Sequence, residues 1–196
     1  MTLLERLEEY WRSDKTSSEK MWDSWEDEHR SNIILGLLCV PEWTSLYELG
    51  CGSGPNLRLI QKHWPDKVLG GSDMNEGHRQ WLNEKLWIRA DPNPMPWTPK
   101  ETWDVLLSMY TLAYAEGHIA YETLKNANAK YVVLAEPSAH VAPHERQGVS
   151  DIDGVMPCFV HEYLSILQAA NWKVMFRWPI YPHRHGLNCL IVAERS

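Results

Sequence analysis

The chain of 196 residues is 44% hydrophobic and 23% charged, a balance that excludes wholesale disorder and suits one buried α/β core. A formal charge of −7 argues against broad binding to a phosphate backbone, and no apolar run is long enough to span a bilayer. Cys39, Cys51, Cys158 and Cys189 form neither a CxxC pair nor a secreted scaffold, and the acidic start is unlike a signal peptide, so a soluble cytoplasmic protein with reduced thiols is expected.

The first quarter of the chain reads as helix. Leu3, Leu4, Leu7, Tyr10 and Trp11 recur at three-to-four-residue spacing, with Glu5, Glu8 and Glu9 between them. Ser13–Ser18 reads as a break, followed by an aromatic stretch with Met21, Trp22 and Trp25 and an apolar segment over Ile33–Leu38, which Pro41 ends. From Thr44 the pattern alternates. Strand formers gather at Ser45–Leu49, Lys67–Ser72, Trp103–Ser108 and Lys130–Ala135, with a weaker run at Leu86–Ala90. Helical stretches lie between them at Asn56–His63, Glu76–Lys85 and Gly117–Asn126. Such β-α alternation implies a mostly parallel sheet with helices on both faces. After Glu136 comes a loop of roughly twenty residues, longer than a simple connection needs and so a candidate functional loop. A helix over His161–Ala170 follows, then strands at Trp172–Trp178 and Leu187–Glu194 with no helix between them, a pair that is antiparallel if adjacent. One domain is expected, with residues 1–43 as a helical cap on a core of residues 44–196.

The most informative segment is Leu46-Tyr47-Glu48-Leu49-Gly50-Cys51-Gly52-Ser53-Gly54-Pro55-Asn56, where a strand enters a glycine-rich turn and then a helix. Glycines there allow positive φ and close backbone approach to a ligand, and the helix start favours a polar or anionic group. A bare strand-to-helix turn is the alternative. A dinucleotide fingerprint has its third glycine three positions after the second. Here Gly54 follows Gly52 by two, and Glu48 precedes the run.

This G-x-G-x-G run with its leading acid resembles the first motif of the class I S-adenosylmethionine-dependent methyltransferases. The resemblance implies a Rossmann-like three-layer fold with a mostly parallel seven-stranded sheet and an antiparallel C-terminal strand. It also implies S-adenosyl-L-methionine as cofactor and S-adenosyl-L-homocysteine as product. In that family the first motif cradles the methionine portion, which assigns Glu48, Gly50, Cys51, Gly52, Gly54 and Asn56 to cofactor binding. Asp73, with Met74 after it, ends the second strand, where the family places an acid on the ribose hydroxyls; a helix N-cap is the other reading of Asp73. Arg89-Ala90-Asp91-Pro92 looks like the segment after the third strand, which puts Asp91 and Pro92 at the adenine, against the alternative of a solvated proline-rich turn. Trp103–Tyr110 matches the fourth strand, whose end, Ser108 and Met109, sits near the transferred methyl. The antiparallel terminal pair matches the family's sheet, and the likeness covers about Thr44–Ser196.

No catalytic residue follows from the fold alone. His140 and His144 in the long loop are candidate general bases, since imidazole titrates near neutral pH, and Tyr110 is a candidate contact to methyl donor or acceptor. Exposed loop histidines are the competing reading. Trp22, Trp25 and His29 are either lid or helix-packing residues. Asp151, Asp153, His183 and His185 match no familiar metal-ligand spacing, so no metal is expected. Ser108-Met109-Tyr110-Thr111 lacks the proline-rich motif of enzymes that methylate base amino groups in DNA. The expected function is methyl transfer to a small molecule, with RNA or protein methylation, a non-catalytic S-adenosylmethionine-binding protein and a dinucleotide oxidoreductase as alternatives.

Overall fold

The computed structural model describes residues 3–12, 17–24, 30–138, 150–152, 156–183 and 186–196. Three helices come first: α1 (Leu3–Arg12), α2 (Ser18–Asp23) and α3 (Ser31–Leu38). The alternating region then runs β1 (Ser45–Leu49), α4 (Pro55–His63), β2 (Val68–Ser72), α5 (Glu76–Leu86), β3 (Ala90–Asp91) and β4 (Trp103–Met109). A 3-10 turn at Leu112–Tyr114, α6 (Gly117–Asn126) and β5 (Ala129–Pro137) complete it. A small hairpin, β6 (Ser150–Ile152) with β7 (Met156–Cys158), precedes α7 (Tyr163–Ala169) and the long terminal strands β8 (Trp172–His183) and β9 (Gly186–Arg195).

One seven-stranded sheet has the order β3-β2-β1-β4-β5-β9-β8. The first five strands in that order are parallel, and β9 runs antiparallel to both β5 and β8. The mostly parallel Rossmann-like sheet with an antiparallel last strand is therefore observed. Successive strand residues point to opposite faces, and the sequence fills both. Val105, Leu107 and Val133 pack with Ile33, Leu57 and Leu82 from α3, α4 and α5. Leu106, Val132 and Leu134 pack with Leu124 and Leu167 from α6 and α7. A Cβ on Gly36 would stand 2.8 Å from Val133 Cγ1 and 3.0 Å from Leu190 Cδ1, so α3 lies close against the sheet only because that position is glycine. At the strand starts, Asp104 Oδ2 accepts from Thr44 N (2.7 Å) and Ser45 N (3.1 Å), and Lys130 pairs with Oδ1, which ties β1, β4 and β5 together.

Two boundaries differ from the sequence expectation. The run Leu86–Ala90 is mostly not a strand: α5 keeps Leu86, Trp87 caps it in the left-handed region (φ 59°), and β3 shrinks to Ala90–Asp91. The segment after Glu136 holds more structure than a bare loop, because β5 continues through Pro137 and β6 pairs with β7. Its residues 139–149 and 153–155 lie outside the described ones. No described helix is long and apolar enough to cross a membrane. Strand β1 sits between β2 and β4, so the chain winds away from it in both directions, and the carboxyl ends of β1 and β4 flank the switch point where open α/β sheets bind ligands.

Candidate functional site

A cavity of about 260 Å³ opens at that switch point, near the lower end of small-molecule site sizes. Its floor is the glycine turn. Gly50 (φ 60°), Gly52 (φ 55°) and Gly54 (φ 89°) all hold a left-handed backbone, and Gly54 caps α4 with Pro55 as its first residue. The turn's amides are engaged one by one: Cys51 N donates to Ser72 O (2.8 Å), Gly52 N to Asp73 Oδ2 (2.8 Å) and Gly54 N to Cys51 O (3.0 Å). Among the described residues, Ser53 N meets a thioether, Met21 Sδ at 3.4 Å. Gly50, Cys51, Gly52 and Asn56 line the cavity, whereas Gly54 sits behind it against Leu82.

Glu48 lies beneath the turn, away from the cavity wall and fully buried. Burial raises its pKa from the usual 4.5 to about 8, against the opposing pull of the Asn56 amide and the Arg30 charge. Asn56 Nδ2 donates to Glu48 Oε1, and Arg30 donates to Asn56 Oδ1, so a neutral amide links the acid to the guanidinium. Glu48 Oε2 has no hydrogen-bond partner among the described residues. The folded state thus holds the Glu48 proton more tightly than the unfolded state. This contribution is full below about pH 4.5 and drains as pH rises toward 8. Glu48→Gln copies the protonated acid, so wild type should lose roughly 2–3 kcal/mol of stability relative to this variant between pH 5 and 7. Urea unfolding at the two pH values reads the difference; parallel curves would show that Glu48 is ionised in the native protein.

Asp73 follows β2 and lines the cavity. Its Oδ2 accepts from Gly52 N and its Oδ1 from Asn75 N (2.9 Å), while His78 Nδ1 stands 3.7 Å from Oδ1. The helix cap is Asn75, whose Oδ1 accepts from His78 N, so Asp73 does not fill that position. Met74 also lines the cavity. Asp91 and Pro92 do not. Tyr47 donates to Asp91 Oδ2 at 2.9 Å, and the part of this segment that reaches the cavity is Asn93, Pro94 and Met95. The reason is strand geometry: β3 ends at Asp91, which shares its carboxylate with Tyr47 of β1, and the chain turns toward the cavity two residues later.

Beyond β4, Met109, Tyr110 and Thr111 reach the cavity, but Ser108 is buried behind it and donates to Glu136 Oε1 at 2.7 Å. The same oxygen accepts from Thr111 N (2.9 Å) and Leu112 N (3.1 Å), and Oε2 accepts from Ala113 N (3.2 Å). Glu136 therefore staples the turn after β4. Burial raises its pKa to about 7, opposed by those hydrogen bonds. Tyr110 holds a left-handed backbone (φ 52°), uncommon for an aromatic residue, and its hydroxyl accepts from Asn188 Nδ2 at 2.7 Å. The N-terminal helices supply the far wall. The Trp11 ring stands edge-on to Tyr114 (5.2 Å), the Trp11 carbonyl accepts from Asn75 Nδ2 (2.9 Å), and Met21 and Arg30 also line the cavity.

His140 and His144 lie outside the described residues, as do Trp25, His29, Asp153 and His185. Trp22 is placed in α2, where the Arg58 guanidinium stacks 4.5 Å from its ring. His161 is buried with Nε2 at 2.8 Å from Ala115 O and 3.1 Å from Leu112 O; burial lowers its pKa against those bonds. Among the described residues no cluster of His, Cys, Asp and Glu could hold a metal ion. Sequence reading missed Arg30, Trp11, Met21 and Glu136. Only Glu136 carried a signal, an acid ending an apolar strand and followed by proline.

No family model matches the chain. Trans-aconitate 2-methyltransferase of Streptomyces avermitilis is 29% identical over 109 residues, covering 47% of this chain and 39% of that enzyme. Malonyl-[acyl-carrier protein] O-methyltransferase of Herminiimonas arsenicoxydans is 28% identical over 87 residues, covering 42% of this chain and 32% of that enzyme. The matches thus span well under half of these relatives. Among solved structures, geranyl diphosphate C-methyltransferase of Streptomyces coelicolor A3(2), in complex with Mg2+, geranyl diphosphate and S-adenosyl-L-homocysteine, superposes with a TM-score of 0.71 at 12% identity over 100% of this chain and 99% of its own. Human N-acetylserotonin methyltransferase in complex with S-adenosylmethionine gives a TM-score of 0.73 at 12% identity, over 100% of this chain and 60% of its own. At this identity the likeness establishes a shared fold.

Proposed function

We propose that this chain, which has the fold of the class I S-adenosylmethionine-dependent methyltransferases, transfers a methyl group from S-adenosylmethionine to a small molecule. The observation that carries this reading is the glycine turn bonded to Asp73 on the wall of one cavity at the switch point. Each Asp73 oxygen accepts one backbone N–H, and a carboxylate oxygen accepts more than one, which fits the adjacent hydroxyls of a ribose. Asn93, Pro94 and Met95 then border the adenine, with Asp91 supporting them through Tyr47 rather than touching the ring. Glu48, Gly54 and Ser108 serve the site from behind its wall.

Bound S-adenosylmethionine supplies a methyl group activated on a sulfonium. The chain's own residues align the acceptor with it and exclude water. Met109, Tyr114, Ile119 and Trp11 give the acceptor side an apolar, partly aromatic wall. Tyr110, held by Asn188, orients the acceptor, and His140 or His144 takes its proton where the acceptor is a hydroxyl. The contacting rings of Trp11 and Tyr114 both line the cavity, and a small aromatic-walled cavity favours a small acceptor over an exposed RNA base or protein side chain.

The test is incubation of the full chain with methyl-labelled S-adenosylmethionine and, separately, a metabolite extract, an RNA fraction and a protein fraction. Label in a small molecule is expected. Label confined to RNA or protein would replace the small acceptor with a macromolecule, and tight cofactor binding with no transfer would leave a non-catalytic binding protein.

A further inference from the structure

Four residues of the cavity wall come from one short turn after β4. Tyr110, Thr111, Tyr114 and Ala115 line the cavity, while Leu112 and Ala113 between them are fully buried in the core. The two ends of this turn are held by different groups. At the end nearest the glycine turn, Thr111 Oγ1 donates to Leu49 O (3.0 Å). There Glu136 also accepts from the amides of Thr111, Leu112 and Ala113 at 2.9 to 3.2 Å.

At the far end the turn is held by its carbonyls. Phe159 N donates to Ala113 O (2.7 Å), and His161 Nε2 stands within hydrogen-bond distance of both Ala115 O and Leu112 O. A carbonyl oxygen only accepts, so Nε2 carries the ring proton and shares it between the two. The imidazole is oriented by Phe159, stacked at 5.9 Å, and by Tyr163, edge-on at 5.4 Å. It does not itself line the cavity. The His161 backbone bridges to Ser138, so the two ends of the long segment between β5 and α7 meet beside this turn.

We propose that His161 is a positioning residue for the methyl acceptor: its shared proton fixes the far end of the turn, and with it the Tyr114 ring that meets Trp11. This rests on the small-acceptor reading above and adds to it a residue that touches no ligand. Thr111 is bonded to Leu49 and Glu136 without help from His161. Loosening the far end therefore leaves the glycine turn and Asp73 in place, and the imidazole acts on acceptor fit, not on cofactor affinity.

The experiment measures methyl transfer by the full chain from labelled S-adenosylmethionine into a dilution series of metabolite extract, beside calorimetry with S-adenosylhomocysteine. His161→Leu keeps the bulk and removes the donor. It should raise the amount of extract giving half-maximal rate about tenfold or more, the scale of a lost buried hydrogen bond. The maximal rate and the affinity for S-adenosylhomocysteine should each stay within about threefold of wild type. His161→Gln, whose amide N–H can reach a carbonyl, should restore most of the acceptor loss. Should His161→Leu fail to fold in urea titrations, His161→Asn, with a donor too short to reach, takes its place in the comparison with His161→Gln. Unchanged half-saturation in the donorless variant would overturn the proposal. So would an equal loss of cofactor affinity, or a His161→Gln protein no better than the donorless one, because each marks a merely structural histidine. Absence of label in small molecules with the wild-type chain would overturn the small-acceptor reading itself, and this inference with it.

Discussion

Gly54→Ala should cost about 2–5 kcal/mol of stability and abolish measurable cofactor binding. Two effects add. The backbone at Gly54 has φ 89°, a conformation that costs an L-residue about 1–2 kcal/mol. The new methyl would also stand 2.2 Å from Leu82 Cδ1. Leu82 is fully buried in the cluster that joins α4, α5 and the sheet, so its side chain has nowhere to swing. Overpacking of this kind costs a further 1–3 kcal/mol or so. The strain falls on the cap of α4, and relieving it shifts Asn56 and the whole turn. Urea unfolding, followed by tryptophan fluorescence, measures the first effect and calorimetry the second. A loss below about 1 kcal/mol would mean that the turn has more room than the Leu82 contact implies.

Asp73→Ala should lower affinity for S-adenosylhomocysteine about 10²–10⁴-fold. A hydrogen bond to a charged group contributes about 1.5–3 kcal/mol, and this carboxylate is proposed to make two such bonds to the ribose. It also accepts from Gly52 N and Asn75 N, so its loss frees the turn and the start of α5. Asp73→Asn keeps one accepting oxygen and should lose only about tenfold. Comparison of the two variants separates charge and acceptor count from simple cavity formation. If well-folded Asp73→Ala bound within threefold of wild type, the ribose would have to lie elsewhere.

The parts of the fold legible in the sequence are those set by local periodicity. The apolar run Ser45–Leu49, the glycines after it and the helix to His63 are contiguous in sequence, so strand, turn and cap follow from residue type. The terminal pair was legible because no helix separates the two strands. Asp91 shows where local reading stops. Its position in sequence is next to the cavity-lining segment, but its carboxylate partner is Tyr47, distant in sequence, and nothing in the pattern of either residue announces the other. Arg30 is a similar case: a lone arginine far from the glycine turn becomes part of the cavity only because α3 packs against the sheet through Gly36. Tyr110 and Asn188 likewise meet through the strand order β4-β5-β9, a topological fact that spacing along the chain does not carry.

The most direct test of the central claim is competitive calorimetry on the full chain with S-adenosylmethionine, S-adenosylhomocysteine and NAD. The third glycine follows the second by two residues rather than three, and the turn's amides at Cys51, Gly52 and Gly54 already donate to protein oxygens, which leaves a poor nest for a pyrophosphate. Dissociation constants in the micromolar range are therefore expected for both sulfur ligands, with no measurable binding of NAD. NAD bound more tightly than both would contradict the assignment.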